Sequence, residues 1–335
     1  MPPLRVALDV TPLALTRAGV ARHITGLLPY LQSEPDFEVR QYSFGGRSRA
    51  LVPVRDVGWY LGALPAKARR DRIDVLHCPS QRAPARASVP FVVTIHDLAV
   101  LRHPETFNRW TRTYSRLALP WIARAARRVI SPSEFTRREL IDVLDVPDEK
   151  IRVIAPGAAA SFVAEGEAEQ GDYVLAVSTL EPRKNLERLV TAFQRADLNG
   201  CQLLVAGVRG WGGVDVSGER VRCLGFVPDE ELARLYRGAR CVAYVSTYEG
   251  FGLPVLEAMA CGAPVVTGRI GATEEVSDGA AVLVDPEDGD AIAAGLVEAI
   301  DRADELRVRG LGRAKAFDWK RAAEATADVY REVAA

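Results

Sequence analysis

Two carboxylates eight positions apart, Glu249 and Glu257, enclose the segment Gly250-Phe251-Gly252-Leu253-Pro254. The apolar run Val242–Val245 before them reads as a buried strand. The two glycines permit a tight turn and a close approach of the backbone to a ligand. Pro254 suits the first turn of a helix. Such a helix start offers unpaired N–H groups and positive dipole charge to an anion, typically a phosphate. Glu249 on the turn and Glu257 in the first helical turns are then acceptors beside a phosphate, suited to the hydroxyls of a sugar and a ribose. A dinucleotide fingerprint competes for the same residues. Gly250 and Gly252 match its first two glycines, but Val255 stands where the third belongs, and no acidic residue ends a following strand.

Three further groups could do chemistry. Arg183 and Lys184 follow one strand pattern and precede a helical one, Leu186–Arg195. Cations sit badly at a helix start unless an anion joins them, and an Arg-Lys pair suits a diphosphate. His96-Asp97 follows the apolar run Phe91–Ile95. By itself such a pair is more often structural. Gly19 opens a helical pattern after a loop, Thr11 to Ala18, and Arg22 lies one turn on, so backbone N–H groups and one cation could reach a phosphate. Asp288-Gly289-Asp290 has the form of a metal-binding triplet, but it stands just before the helical pattern Ala291–Ile300, where Asp is a routine N-cap. No metal site is expected.

All of these positions depend on strand ends. Strand patterns occur at Leu4–Val10, Phe37–Ser43, Val75–Cys78, Phe91–Ile95, Arg128–Ser131 and Ile151–Ile154. They recur at Tyr173–Ser178, Cys201–Ala206, Val221–Leu224, Cys241–Val245, Pro264–Thr267 and Ala281–Val284. Helical stretches alternate with them, including Gly19–Gln32, Thr106–Arg127 and Glu134–Leu144, the second broken at Pro120. This alternation predicts an α/β chain with parallel sheets covered on both faces. At roughly 150 residues per domain, 335 residues suggest two domains. The pattern restarts near Gly171, after a non-periodic stretch from Ala155 to Gln170. The expected division is 1–160 and 171–316, two doubly wound Rossmann-like domains facing a cleft. A last helical segment, 317–335, packs back toward the first.

Composition excludes several classes. Hydrophobic residues make up 48% and charged residues 26%, which is ordinary globular usage. No apolar run approaches the ~18 residues of a membrane span. The strand pattern begins at once after Met1, so no signal peptide is expected. Five scattered cysteines without a CxxC read as buried thiols of a reducing cytosol. Residues 1–160 hold 24 basic against 15 acidic side chains, a net +9, and residues 161–335 hold 19 against 29, a net −10. Such asymmetry predicts different partners for the two halves.

On these residues the sequence resembles the retaining glycosyltransferases of family 4, which have the GT-B fold. The resemblance rests on Glu249 and Glu257 with Gly-Phe-Gly between them. It extends to Thr179-Leu-Glu-Pro-Arg-Lys-Asn185, Gly225-Phe-Val-Pro-Asp-Glu-Glu-Leu232, Val284-Asp-Pro286, Thr94-Ile-His-Asp-Leu98 and Ser131–Leu140. It implies that Arg183 and Lys184 hold and stabilise the donor diphosphate, Glu249 positions sugar hydroxyls and Glu257 binds the ribose. It also implies that Gly19, Gly250, Phe251, Gly252 and Leu253 line the donor, that Phe226 and Val227 lie against the nucleobase, and that His96 faces the transferred sugar. Asp97 and Arg22 become acceptor contacts. The chain departs from the family in two places. Ala18-Gly19 replaces a usual Gly-Gly, and Ser178-Thr179 replaces a Gly-Arg pair, which passes the second cation to Arg183.

The segment from His96 to Leu98, followed by Leu101-Arg-His-Pro-Glu105, resembles bacterial polysaccharide mannosyltransferases. The implied reaction is transfer of a hexose, mannose from GDP-mannose, to a hydroxyl of a saccharide, lipid-linked or natural-product acceptor, with retention and without metal or cofactor. A sugar-nucleotide epimerase and a non-catalytic sugar-nucleotide binder are the alternatives. Arginines 109, 112, 116, 124, 127 and 128 interleave with Trp110, Tyr114, Leu117 and Trp121, which predicts peripheral contact with an anionic membrane. No motif supports nucleic-acid binding. Localisation is expected to be cytoplasmic, at the inner membrane face where peripheral. With 38 arginines against five lysines, the source is expected to be a GC-rich bacterium.

Overall fold

A computed structural model describes residues 2–15, 19–45, 51–198 and 200–335. The chain divides into two compact units. Met1–Arg102, Phe107–Gly157 and Asp318–Ala335 form the first, and His103–Thr106 with Ala158–Phe317 form the second.

The first unit is built on strands β1 (Leu4–Asp9), β2 (Phe37–Tyr42), β3 (Val75–Cys78), β4 (Phe91–Thr94), β5 (Arg128–Ser131) and β6 (Ile151–Val153), in the order β2-β1-β3-β4-β5-β6. Every pairing is parallel. Helices α1 (Thr11–Leu15), α2 (Gly19–Ser33), α3 (Leu64–Arg70), α4 (Ala99–Arg102), α5 (Arg109–Ala125) and α6 (Glu134–Leu144) connect them, with a π-helical segment over Val54–Ala63. The second unit repeats the design with β7 (Tyr173–Val177), β8 (Gln202–Ala206), β9 (Val221–Gly225), β10 (Cys241–Tyr244), β11 (Val265–Gly268) and β12 (Val282–Val284), ordered β12-β11-β10-β7-β8-β9 and again parallel. Its helices are α7 (Leu186–Arg195), α8 (Asp229–Gly238), α9 (Leu253–Ala260), α10 (Gly271–Ser277), α11 (Gly289–Asp301) and α12 (Ala303–Ala314).

β3, β4 and β10 are buried along their whole length, as strands covered on both faces must be. Each sheet changes direction once, between β1 and β3 in the first unit and between β7 and β10 in the second. At such a point the loops leaving neighbouring strands diverge and open a crevice at their carboxyl ends.

Helix α13 (Trp319–Ala334) belongs to the first unit. It buries Trp319, Ala323, Ala327 and Tyr330 with Val6, Leu27, Leu31 and Val92. The indole of Trp319 lies where a side chain on Gly26 would stand, 2.2 Å from an added Cβ. Gly26→Ala would ordinarily strengthen a helix by up to ~1 kcal/mol. Here overpacking is expected to win and to cost about 1–3 kcal/mol, read by chemical denaturation.

Several local readings change. Thr11–Leu15 is helical rather than looped, because Asp9 accepts from the backbone and hydroxyl of Thr11 and starts a turn. Ala18 lies outside the described residues. α5 runs unbroken through Pro120, since Leu119, Ile122 and Ala123 are buried and their packing outweighs the missing N–H. Four thiols are buried, but Cys223 is exposed because β9 is an edge strand. Asp288 caps α11 by accepting from the N–H groups of Asp290 and Ala291.

Candidate active site

The crevice of the second unit is framed by the loop after β7 and the loop after β10. The first turns through a 3₁₀ segment, Pro182–Lys184, and Asn185 takes a left-handed conformation at φ 59° to enter α7. Asn185 Nδ2 donates to the carbonyls of Val245 (3.1 Å) and Pro286 (2.6 Å). Thr247 N donates to Arg183 O at 2.9 Å, and Arg183 Nη1 donates to Tyr248 O at 2.7 Å. These bonds fix the two loops to each other before any ligand is considered.

Glu249 sits between the two cations. Lys184 Nζ donates to Glu249 Oε1 at 2.6 Å, and Arg183 Nη1 donates to Oε2 at 3.1 Å. Arg183 Nη2 donates to Glu181 Oε1 at 2.7 Å, and Lys184 Nζ also reaches Tyr244 Oη at 3.0 Å. The four charged side chains are nearly buried and sum to zero. Burial alone would raise the Glu249 carboxyl. The charges of Lys184 and Arg183 and the Lys184 hydrogen bond outweigh it and hold the group at about 2. Glu181 is raised instead, because its burial, helped by the negative charge of Glu249, outweighs the same two cations.

α9 begins four residues after Glu249. Its N-cap, Gly252, has φ 111°, and an added Cβ would lie 3.0 Å from Thr273 Cγ2, so the turn needs glycine. Leu253 and Pro254 follow, and the first N–H groups of the helix stand at the sheet's carboxyl end. Glu257 is the fifth residue of α9 and is buried, accepting from Tyr236 Oη at 3.2 Å. The ring of Phe251 is buried against Phe317, centroids 5.6 Å apart, so it is spent on packing. After β9, Phe226 is exposed and Val227 is buried at the start of α8.

In the first unit, His96 follows β4. Its Nε2 lies 3.1 Å from Pro79 O, and since a carbonyl only accepts, Nε2 carries the proton. Burial lowers the imidazole pKa and keeps the ring neutral near pH 7. His23, in the first turns of α2 beyond Gly19 and Arg22, meets His96 edge to face at 4.9 Å. Neither ring nitrogen of His23 has a hydrogen-bond partner among the described residues, and burial pushes its pKa well down. Asp97 is used locally, accepting from Ala99 N at 2.9 Å.

The geometry thus joins Arg183, Lys184 and Glu249 directly, and Gly250–Leu253 continue the same loop. In the first unit it joins the N-terminal turns of α2 to His96 through His23. Glu181, Tyr244, Tyr236 and His23 were not singled out by sequence. Glu181 lies within a quoted segment, whereas the two tyrosines and His23 sit on buried faces and look like core.

Residues 17–161 match the profile described as Glycosyltransferase Family 4, and residues 159–312 match Glycosyl transferases group 1. An O-antigen chain mannosyltransferase B of Escherichia coli is 34% identical over 79% of this chain and 76% of its own length. The chain belongs to the family 4 glycosyltransferases. Its fold is GT-B. Sucrose-phosphate synthase of Thermosynechococcus elongatus superimposes with a TM-score of 0.79 over 98% of both chains at 21% identity. Anabaena HepE, solved with UDP and glucose, gives 0.77 over 98% of this chain and 100% of its own at 20%. As a member of this family the protein is a glycosyltransferase. No described helix is long and apolar enough to cross a membrane.

Proposed function

We propose that this glycosyltransferase moves mannose from GDP-mannose to a hydroxyl of a saccharide acceptor, free or lipid-linked, with retention and without a metal. The observation that carries the reading is Glu249 held between Lys184 and Arg183 at the sheet's switch point, in a chain 34% identical to an O-antigen mannosyltransferase. Arg183, Lys184 and the N-terminus of α9 supply positive charge to a departing diphosphate. Glu249 accepts from hydroxyls of the sugar, and Glu257 from the ribose. His96, protonated on Nε2, offers the lone pair of Nδ1 to a sugar hydroxyl. The acceptor oxygen bonds to the anomeric carbon on the face from which the phosphate leaves. The bond from that carbon to the phosphate oxygen breaks, and the acceptor's proton passes to the leaving phosphate. Phe226 and Val227 lie against the base, and Gly19, Arg22 and Asp97 serve the sugar and acceptor side.

Thermal unfolding with GDP, UDP, ADP and dTDP tests the donor. A nucleotide at ~100 times its dissociation constant adds about 2.7 kcal/mol. Selective stabilisation by GDP is expected, and selective stabilisation by UDP or dTDP would overturn the mannose donor. Product analysis with and without acceptor separates transfer from epimerisation, which needs no acceptor, and from binding alone, which yields no product.

A further inference from the structure

We propose, on the basis of the donor reading above, that Tyr244 is a positioning residue that aims the Lys184 ammonium at the donor's diphosphate. Tyr244 is the last residue of β10, which pairs with β7 with Ala243 opposite Ala176. It therefore stands beside the strand end from which the Lys184 loop departs. Cys241, Ala243 and Val245 pack into the core with residues of α7 and α11. Successive side chains of a strand point to opposite faces, so Tyr244 is turned away from that core. Thr267 Oγ1 donates to Tyr244 O at 2.8 Å and holds the strand end in place. The ring is buried, and Lys184 Nζ lies 5.3 Å from its centroid, within reach of a cation–π contact.

A lysine ammonium carries three N–H donors on a flexible four-carbon stem. Lys184 spends one on Glu249 Oε1 at 2.6 Å and one on Tyr244 Oη at 3.0 Å. A single contact would leave the group free to turn about that bond. Two contacts fix it, and tetrahedral geometry then sets the direction of the third N–H, which meets no acceptor among the described residues. That N–H is the one left for a phosphate oxygen. A phenol suits the task because its oxygen accepts without adding negative charge beside the phosphates. A carboxylate in its place would hold the lysine and repel the diphosphate. Burial and the neighbouring Glu249 carboxylate push the Tyr244 pKa well above its ordinary value, so the phenol stays neutral. The hydroxyl also favours the charged lysine. Burial lowers the Lys184 pKa and Arg183 adds to the fall, while Glu249 and Glu181 oppose it. Removing one acceptor of the ammonium moves that balance further down.

Tyr244→Phe keeps the ring and removes the hydroxyl, and its effect is read on the full chain in two ways. The chain has five lysines, so NMR of isotope-labelled lysine side chains resolves Lys184, assigned by the signal that Lys184→Arg removes. The Lys184 pKa is expected to fall by about one pH unit in Tyr244→Phe, the equivalent of one hydrogen bond. Calorimetry then gives the GDP dissociation constant of both proteins. The ratio of variant to wild type is expected to grow from about threefold near pH 7.5 to about tenfold or more near pH 9.5, because the variant's lysine loses its proton first. The base titrates equally in both titrations and cancels in the ratio. An unshifted Lys184 pKa overturns the proposal. A ratio that does not change with pH overturns it as well, since a hydroxyl needed only for folding would lower the melting temperature and leave the pH dependence alone. Either result leaves the donor reading standing. Failure of the wild type to bind GDP, UDP, ADP or dTDP overturns the donor reading, and the aim assigned to Lys184 with it.

Discussion

Glu249→Gln is expected to abolish most sugar transfer while leaving nucleotide binding equal to or tighter than wild type. The substitution keeps the shape but removes the charge that Lys184 and Arg183 now share. The cluster of Arg183, Lys184 and Glu181 is left with a net charge of +1 to meet the donor's phosphates, which favours the diphosphate in ground state and product alike. What is lost is the acceptor for sugar hydroxyls, and losses of 10²–10³ in kcat are typical when one such polar contact at the reacting centre is removed. A fall in kcat with an unchanged or lower nucleotide dissociation constant is the expected split, and near-normal kcat would remove Glu249 from the mechanism. The same variant has a stability signature. The folded-state pKa of Glu249 is depressed to about 2, so its charge contributes stability that is fully present above the unfolded value and lost as pH falls through the folded one. The shift corresponds to roughly 3 kcal/mol. Denaturation between about pH 5 and pH 2 should therefore be less pH-dependent in Glu249→Gln than in wild type.

Lys184→Ala is expected to act on both halves of that balance. Its ammonium is the shorter of the two contacts to Glu249, and its loss leaves a buried carboxylate with Arg183 as its remaining cation. Breaking one side of a buried pair costs about 3 kcal/mol. Transfer should fall by about 10²–10³, because a positive charge beside the departing diphosphate is worth that much. Nucleotide stabilisation should fall too, in contrast to Glu249→Gln. The opposite signs of the two variants on nucleotide binding are the test. If both weaken binding equally, the cluster is a structural ion pair and the diphosphate binds elsewhere.

The fold was legible because a parallel sheet buried on both faces writes its strands as continuous apolar runs. Such runs mark the inner strands, whereas the edge strands β2 and β9 show as shorter β-branched patterns interrupted by polar residues, and the ends of the twelve strands move by about a residue. Helix boundaries were read less well. Pro120 was read as a break because propensity is local, whereas Leu119, Ile122 and Ala123 are held by tertiary packing. Thr11–Leu15 was read as loop because Pro12 and a short segment give no periodicity, while the Asp9 side chain that starts the turn belongs to the preceding strand. The site divides the same way. Arg183, Lys184 and Glu249 were visible because polar residues after apolar strands need a reason. Tyr244 and Tyr236 were not, because an aromatic residue in a buried strand or helix looks like core until its hydroxyl is seen to meet Lys184 or Glu257. His23 was hidden for the same reason, and only its contact with His96 separates it from packing.

Helix α13 places a constraint on synthesis. Residues 319–334 cover one face of the first unit's sheet, and Tyr330 Oη pairs with the buried His77 of β3 at 2.6 Å. Those residues are translated only after every residue of the second unit. While the ribosome is making the second unit, the first holds Val6, Leu27, Leu31 and Val92 without the helix that seals them. A domain that folds vectorially can complete itself as soon as it emerges. Here the second unit, Ala158–Phe317 apart from a four-residue graft, is the one able to do so, and the amino-terminal unit, though first out of the tunnel, is the last to close.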